Sequence, residues 1–281
     1  MSPRLESKTK RSPLPLHSTN LDGEKAVISR ASFSTTVAKA FNIIEILASC
    51  AEAGISLTEL SAALNMPKST AHRYLATLLE LRLAERNGVD RFRLGTKVIE
   101  LAGSFLASSD LRKESEATLE EMAEESGETT HLAVPSGAEV VYIAKVESRH
   151  TLGMFSHIGA RLPMHCTALG KSILAFSGVE RLREVLSEPP KPRTPNTITS
   201  EQALRQELDR IRSQGFAIDN EENEVGIRCV GAPIIDYTGR AIAAMSISGP
   251  SDRMDRERCM QWGPLLREAT MKISKRKGFS G

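Results

Sequence analysis

The sequence predicts a two-domain α+β protein: an N-terminal winged helix-turn-helix, a linker helix and a C-terminal α+β domain. Three observations predict it. A short helix, a tight turn and a helix with a polar, basic N-terminal face are followed directly by two strand-like runs around Asn87-Gly88. From Leu111 onward, strand and helix patterns mix. The length of 281 residues suits two domains better than one.

Composition excludes several classes. Hydrophobic residues make up 40% of the chain and charged residues 26%. No apolar run reaches the ~18 residues that suggest a membrane span. Met1 to Asn20 is polar and does not read as a secretory signal. Cys50, Cys166, Cys229 and Cys259 form no C-x-x-C pair, which argues against a zinc ribbon or a disulfide framework. Reduced thiols, a cytoplasmic location and no membrane partner are expected. The net charge is only +2, so bulk charge does not announce nucleic acid.

Residues 1–32 are rich in Ser, Pro and basic side chains and lack periodicity. They read as a disordered basic tail, either inert or an auxiliary phosphate contact. A winged helix-turn-helix is expected over 33–94. Val37, Phe41, Ile44 and Leu47 form an apolar helical stripe that closes near Gly54. Ser56 and Glu59 have capping-box spacing ahead of a short helix that buries Leu57, Leu60 and Leu64.

Pro67 opens the next helix. Ala71, Leu75, Leu78 and Leu79 face inward, while Lys68, Ser69, Thr70, His72 and Arg73 offer charge and hydrogen bonds to phosphates and base edges. A solvated face on an ordinary three-helix bundle is the competing reading. The basic hairpin that follows tips the balance toward a wing, from which Arg86, Arg91 and Arg93 could reach the DNA backbone or a minor groove. Residues 95–110 read as an apolar linker helix that packs against the module and a second subunit, so a homodimer or homotetramer is expected.

The second domain spans 111–281. A helix is expected over 113–125, and strands at 130–134, 140–146 and 151–156. Helices follow at 167–176 and 181–186, then one capped by Thr199 with Gln202. Strands are expected at 216–218, 229–235 and 241–248, and a final helix over 254–274 is interrupted near Gly263-Pro264. Together these suggest a sheet with helices at its face.

Phosphate-loop, zinc-protease and nucleophile-elbow motifs are absent. His165-Cys166 invites a nucleophile reading, but adjacent side chains point apart. Asp219, Glu221, Glu222 and Glu224 read as a solvated acidic loop, one of whose carboxylates could face a pocket. No catalytic residue, metal or cofactor is expected.

Several long motifs, taken together and in order, resemble the IclR family of bacterial transcription regulators. They are Met66 to Arg73 (MPKSTAHR), Leu162 to Lys171 (LPMHCTALGK), Gly215 to Glu222 (GFAIDNEE), Gly226 to Cys229 (GIRC), Ala232-Pro233 and Ser246 to Pro250 (SISGP). The resemblance implies a GAF-like effector domain and a sequence-specific regulator, a repressor, on a palindromic double-stranded operator. A small organic-acid effector would modulate that binding. By motif, the resemblance nominates Met154, Gly159, Ala160, Asp219, Ile227, Cys229, Ser246 and Ser248 as ligand contacts. The amides of Gly159 and Ala160 would hold a carboxylate alongside the two serine hydroxyls, which alternate along one strand.

Overall fold

A computed structural model of the protein describes residues 34–50, 53–88, 90–108, 110–150 and 156–280. The expected tail at 1–32, Met154 and most of the expected strand at 151–156 lie outside them. The described chain divides into two compact units, one ending at Glu100 and the other beginning at Leu101.

In the first unit, helix α1 (Thr35–Ser49) starts where the Ser34 hydroxyl accepts from the Val37 amide. Its buried residues are Ile43 and Leu47, whereas Val37 and Phe41 are 54% and 61% exposed. The expected stripe therefore holds at Leu47 and half-buried Ile44 but not at Val37 and Phe41. Two residues are roughly 200° of helix rotation, so the face that meets Leu60, Leu75, Leu78 and Phe92 cannot also include Phe41.

Gly54 does take a left-handed φ of +60°. It does so after α1 has ended, ahead of strand β1 (Ile55–Ser56), where an added Cβ would lie 2.8 Å from the Phe92 carbonyl oxygen. Helix α2 (Leu57–Ala63) carries both capping-box bonds. Leu60 is its buried residue, while Leu57 and Leu64 are only half-buried. After Asn65, at φ +47°, Pro67 caps α3 (Lys68–Glu80), which buries Ala71, Leu75 and Leu78. Strands β2 (Ala84–Arg86) and β3 (Arg91–Leu94) form the wing hairpin, and β1 pairs with β3 through Ile55 and Phe92. Helix α4 (Lys97–Ser108) follows, with Ile99 and Leu101 exposed.

The second unit is a six-stranded antiparallel sheet in the order β6-β5-β4-β9-β8-β7. Its strands are β4 (Thr129–Ser136), β5 (Glu139–Val146), β6 (Arg161–Pro163), β7 (Ala217–Asn220), β8 (Ile227–Ile235) and β9 (Ala241–Pro250). The expected helix at one face becomes helices on both. Helices α5 (Asp110–Ser126) and α9 (Arg256–Arg276) pack against Leu132, Val230, Ala232, Met245 and Ile247. Helices α6 (Ala168–Ala175), α7 (Val179–Val185) and α8 (Glu201–Gln214) cover Ala133, Val140, Tyr142, Ala217 and Ala244. Burial on both faces explains why β8 and β9 read as nearly continuous apolar runs rather than clean alternations.

Three further expectations are corrected. Strand β6 was missed because it is a three-residue edge strand ending in proline. Ser200 rather than Thr199 caps α8, accepting from the Ala203 amide, and Gly215 closes that helix at φ +84°. Helix α9 runs unbroken through Gly263-Pro264. Proline removes only one helical donor, and the helix is held down by burial of Cys259, Leu266 and Ile273. Gly263 lies under the Phe216 ring, where a Cβ would come within 2.4 Å of it.

Candidate functional site

Each unit presents a candidate site. On α3, Lys68, Ser69, His72 and Arg73 are exposed and Thr70 is half-buried. Pro67 fixes where the helix begins, and burial of Ala71, Leu75 and Leu78 fixes its rotation, so the polar residues fall together on the outer face. The side chains of Lys68, Ser69, His72 and Arg73 make no hydrogen bond or ion pair among the described residues. The face therefore combines cations, a hydroxyl and an imidazole with the unsatisfied amides of a helix N-terminus.

The wing arginines have partners inside the module, which the sequence did not indicate. Arg91 donates from Nε to the Ala53 carbonyl at 2.8 Å and from Nη2 to the Gly54 carbonyl at 2.9 Å, and it pairs with Glu59 at 3.2 Å. Arg93 donates to Glu85 at 2.7 Å. The Arg86 guanidinium lies 5.3 Å above the centre of the Phe92 ring. All three expected contacts are engaged by the module itself, because a wing this short brings every arginine within reach of its own strands and turn.

In the second unit a cavity of about 100 Å³ opens between β5, β7–β9 and the start of α6. Of the nominated residues, Ala160, Asp219, Ile227, Cys229, Ser246 and Ser248 line it. Gly159 is on the adjoining turn but is not part of the wall. The carboxylate cradle expected there is corrected. The Gly159 amide donates to the Tyr142 carbonyl at 2.8 Å, and the Ala160 amide to the His157 carbonyl at 3.1 Å.

Strand alternation builds the polar wall. Met245 and Ile247 point toward α5 and α9, so Ser246 and Ser248 point to the cavity side. The two hydroxyls are 3.3 Å apart. Ser246 Oγ lies 3.4 Å from His131 Nδ1, and His131 Nε2 lies 2.8 Å from Ser156 Oγ. Burial pushes the His131 ring down to about 3, so it stays neutral. The ring stacks on Tyr142 with centroids 4.5 Å apart. Tyr142, Ser156, Asn223 and Glu224 also line the cavity and were not nominated. The period-two spacing of Val140, Tyr142 and Ala144 carried a signal for Tyr142.

The acidic segment is only partly the solvated loop expected: Glu224 is exposed and Glu221 half-buried, but two of its carboxylates are withdrawn from solvent. Asp219 and Glu222 are 3% and 6% exposed. Asp219 accepts from the Glu222 amide at 2.7 Å and the Asn223 amide at 3.4 Å. Burial raises its carboxyl to about 7, against the pull of nearby Lys171. Lys171, on α6, is itself fully buried. Its ammonium donates to the Ile218 carbonyl at 2.7 Å, to Glu222 and, at 3.4 Å, to Glu207. Gly231 lets α6 come this close, since a Cβ there would lie 2.8 Å from the Ala168 backbone.

Burial pushes the Cys166 thiol up to about 12, so it is not a ready thiolate. His165 bonds the Lys191 carbonyl at 3.1 Å. Among the described residues no His, Cys, Asp or Glu cluster fits a metal ion, and no helix is long and apolar enough to cross a membrane.

Comparisons with known proteins bear on both sites. The IclR helix-turn-helix domain family matches residues 36–88, and the family described as bacterial transcriptional regulator IclR C-terminal matches 103–275. The chain is 37% identical over 247 residues to the HTH-type transcriptional regulator KdgR of Escherichia coli strain K12, spanning 87% of this chain and 93% of that one. The crystal structure of Thermotoga maritima IclR is similar with a TM-score of 0.72 at 38% identity, covering 87% of this chain and 99% of that one. An IclR homologue from Microbacterium hydrocarbonoxydans, solved in complex with 4-hydroxybenzoate, has a TM-score of 0.72 at 26% identity over 86% of this chain and 98% of its own.

Proposed function

The chain belongs to the IclR family of bacterial transcriptional regulators, and from that premise we propose that it represses transcription from a palindromic operator under the control of a small organic acid. The observation that carries the DNA-binding half is the outer face of α3, where Lys68, Ser69, His72 and Arg73 stand exposed and unbonded among the described residues. We assign residues 33–94 to DNA binding, 95–110 to the linker and 111–281 to effector binding. Lys68 and Arg73 contact phosphates or guanine edges, with Ser69, Thr70 and His72 completing the face. Arg91 and Arg93 hold the wing in shape and add charge near the backbone rather than reading sequence.

The effector half rests on the cavity lined by Asp219, Cys229, Ser246 and Ser248, and on the relative solved with a small aromatic acid. The protein acts as a cytoplasmic homodimer or homotetramer, so that two modules engage two half-sites. The effector acts through its differential affinity for two arrangements of those modules, coupled through α4. The cavity binds rather than turns over its ligand: the thiols that line or adjoin it are buried and protonated.

The test is fluorescence anisotropy on the DNA flanking the protein's own gene against scrambled DNA at one salt concentration. A specificity ratio of ~10³ or more is expected. Arg73→Ala should abolish that preference while the fold survives. Pyruvate and 4-hydroxybenzoate added to the same complex should shift its midpoint. Equal affinity for both DNAs across the whole intergenic region, or an unchanged Arg73→Ala, overturns the assignment of the α3 face.

A further inference from the structure

The charge distribution around the cavity poses a chemical problem for an acidic ligand. Two carboxylates, Asp219 and Glu224, line it, and no Lys or Arg does so among the described residues. Residues 151–155, which precede the lining Ser156, are Thr, Leu, Gly, Met and Phe and bring no charge. The two buried amines close by are held elsewhere. Lys171 is occupied by the Ile218 carbonyl, Glu222 and Glu207, and Lys145 donates to the Ser156 carbonyl at 2.8 Å and to Glu147 at 3.1 Å. The two amides that might have received a carboxylate are bonded to other carbonyls. An anionic ligand therefore enters a small, largely buried space that already holds Asp219, and two carboxylates in such a site do not both stay ionised.

We propose that the cavity binds a small carboxylic acid together with one proton from solvent, shared as an O–H···O hydrogen bond between the ligand carboxylate and the Asp219 carboxyl. The inference rests on the effector reading above and specifies its chemistry. Most side chains packed around Asp219 favour the proton or leave it alone. From its own loop come Glu222 and Glu224, both acidic. From β5 comes Tyr142 and from β8 Cys229, both held neutral by burial. Ahead of α6 is Cys166, equally protonated, and β9 offers the neutral Ser246 and Ser248. Lys171 and the amides of Glu222 and Asn223 pull toward the anion; Lys171 is already paired, and the two amides leave the second carboxyl oxygen of Asp219 free for the ligand. In the ligand-free protein Asp219 titrates near neutrality, so a proton is readily added on binding. Ser246 and Ser248 remain to bond the ligand's second oxygen.

The experiment is calorimetry of the full chain with pyruvate and with benzoate, whose own carboxyls are fully ionised, at pH 8 in phosphate and in Tris. The expected enthalpies differ between buffers by the difference in buffer ionisation heat for about one proton per bound acid. Affinity should fall about tenfold per pH unit above pH 7. Asp219→Asn, which keeps a hydrogen-bond donor in place, should retain binding and lose both the buffer dependence and the pH slope. Equal enthalpies in the two buffers for the unaltered protein overturn the inference alone. Proton uptake that persists in a folded Asp219→Asn moves it to another group and overturns it as well. Silence from both acids and a wider acid panel at pH 5 to 8 overturns the effector reading itself. A carboxyl-carbon NMR titration of ligand-free protein gives an independent check: Asp219 ionising in the ordinary carboxylate range overturns the proposal whether or not any acid binds.

Discussion

On α3 of the first unit, Lys68, Ser69, His72 and Arg73 stand in solvent with no bonding partner among the described residues. In the second unit, Lys171, Glu222, Asp219, His131 and Ser246 are buried, and each is hydrogen-bonded within the fold. The difference follows from what each surface meets. A DNA-facing side chain needs to be free before its partner arrives, and solvation keeps it so at little cost. A buried side chain has lost its water already, and leaving it wholly without a partner is costly, so the fold supplies each of these with at least one, although Glu222 Oε2 has none among the described residues. Function in the first unit therefore lies in what the fold leaves unused, and in the second unit in what the fold has to hold.

That contrast can be tested by mutation, and the largest effect should come from Lys171. Lys171→Met leaves Glu222 buried without its cation, and the full chain should lose about 3–5 kcal/mol in thermal or urea unfolding. Adding Glu222→Leu should recover much of that loss; a double variant as unstable as the single would show that the pair is not the unit of stability. Next is pH. Asp219 has a folded carboxyl raised to about 7 against an ordinary value of 3.8. The native state holds this proton more tightly, so the stability it contributes is full below about 3.8 and is lost as pH rises through about 7. Asp219→Asn should flatten that decline in the ligand-free protein, as followed by melting temperature against pH.

A smaller effect belongs to the first unit. Ser56→Ala removes the hydroxyl that accepts from the Glu59 amide at 3.3 Å and should cost about 1 kcal/mol. The smallest is Arg73→Ala, which should change stability by less than ~0.5 kcal/mol while removing operator binding. A large stability loss there would mean that α3 uses this side chain internally and would erase the contrast.

These contrasts also explain what could be read from the residues alone. The α3 face was legible because Pro67 and the spacing of Ala71, Leu75 and Leu78 set both its start and its rotation. Ser246 and Ser248 were legible from strand alternation. The Lys171 cluster was not, because its carboxylate partners lie 36 and 51 residues away and only the folded sheet brings them together. The same distance hid the character of Asp219 and Glu222, whose local sequence is that of a solvated loop. The internal partners of the wing arginines were hidden for the opposite reason. They are near in space, but composition cannot distinguish a cation held by a carbonyl from one facing solvent. The first half of the α1 stripe was misread because Phe41 is as apolar as Ile43, and only the packing chooses between them.

The margins of the six-stranded sheet carry a consequence for how copies of this protein can meet. Strand β6, at one edge, has three residues and ends in Pro163, which has no amide hydrogen to donate, and β7, at the other, has four. Among the described residues, neither margin offers the long, flat row of free peptide groups on which a second sheet could grow. The apolar runs of β8 and β9, which would be aggregation-prone if laid bare, sit in the interior with a strand on either side and helices above and below. The unit can therefore hold strongly β-forming segments at high concentration without templating its own fibrils, and stable association between copies is left to helix faces and loops.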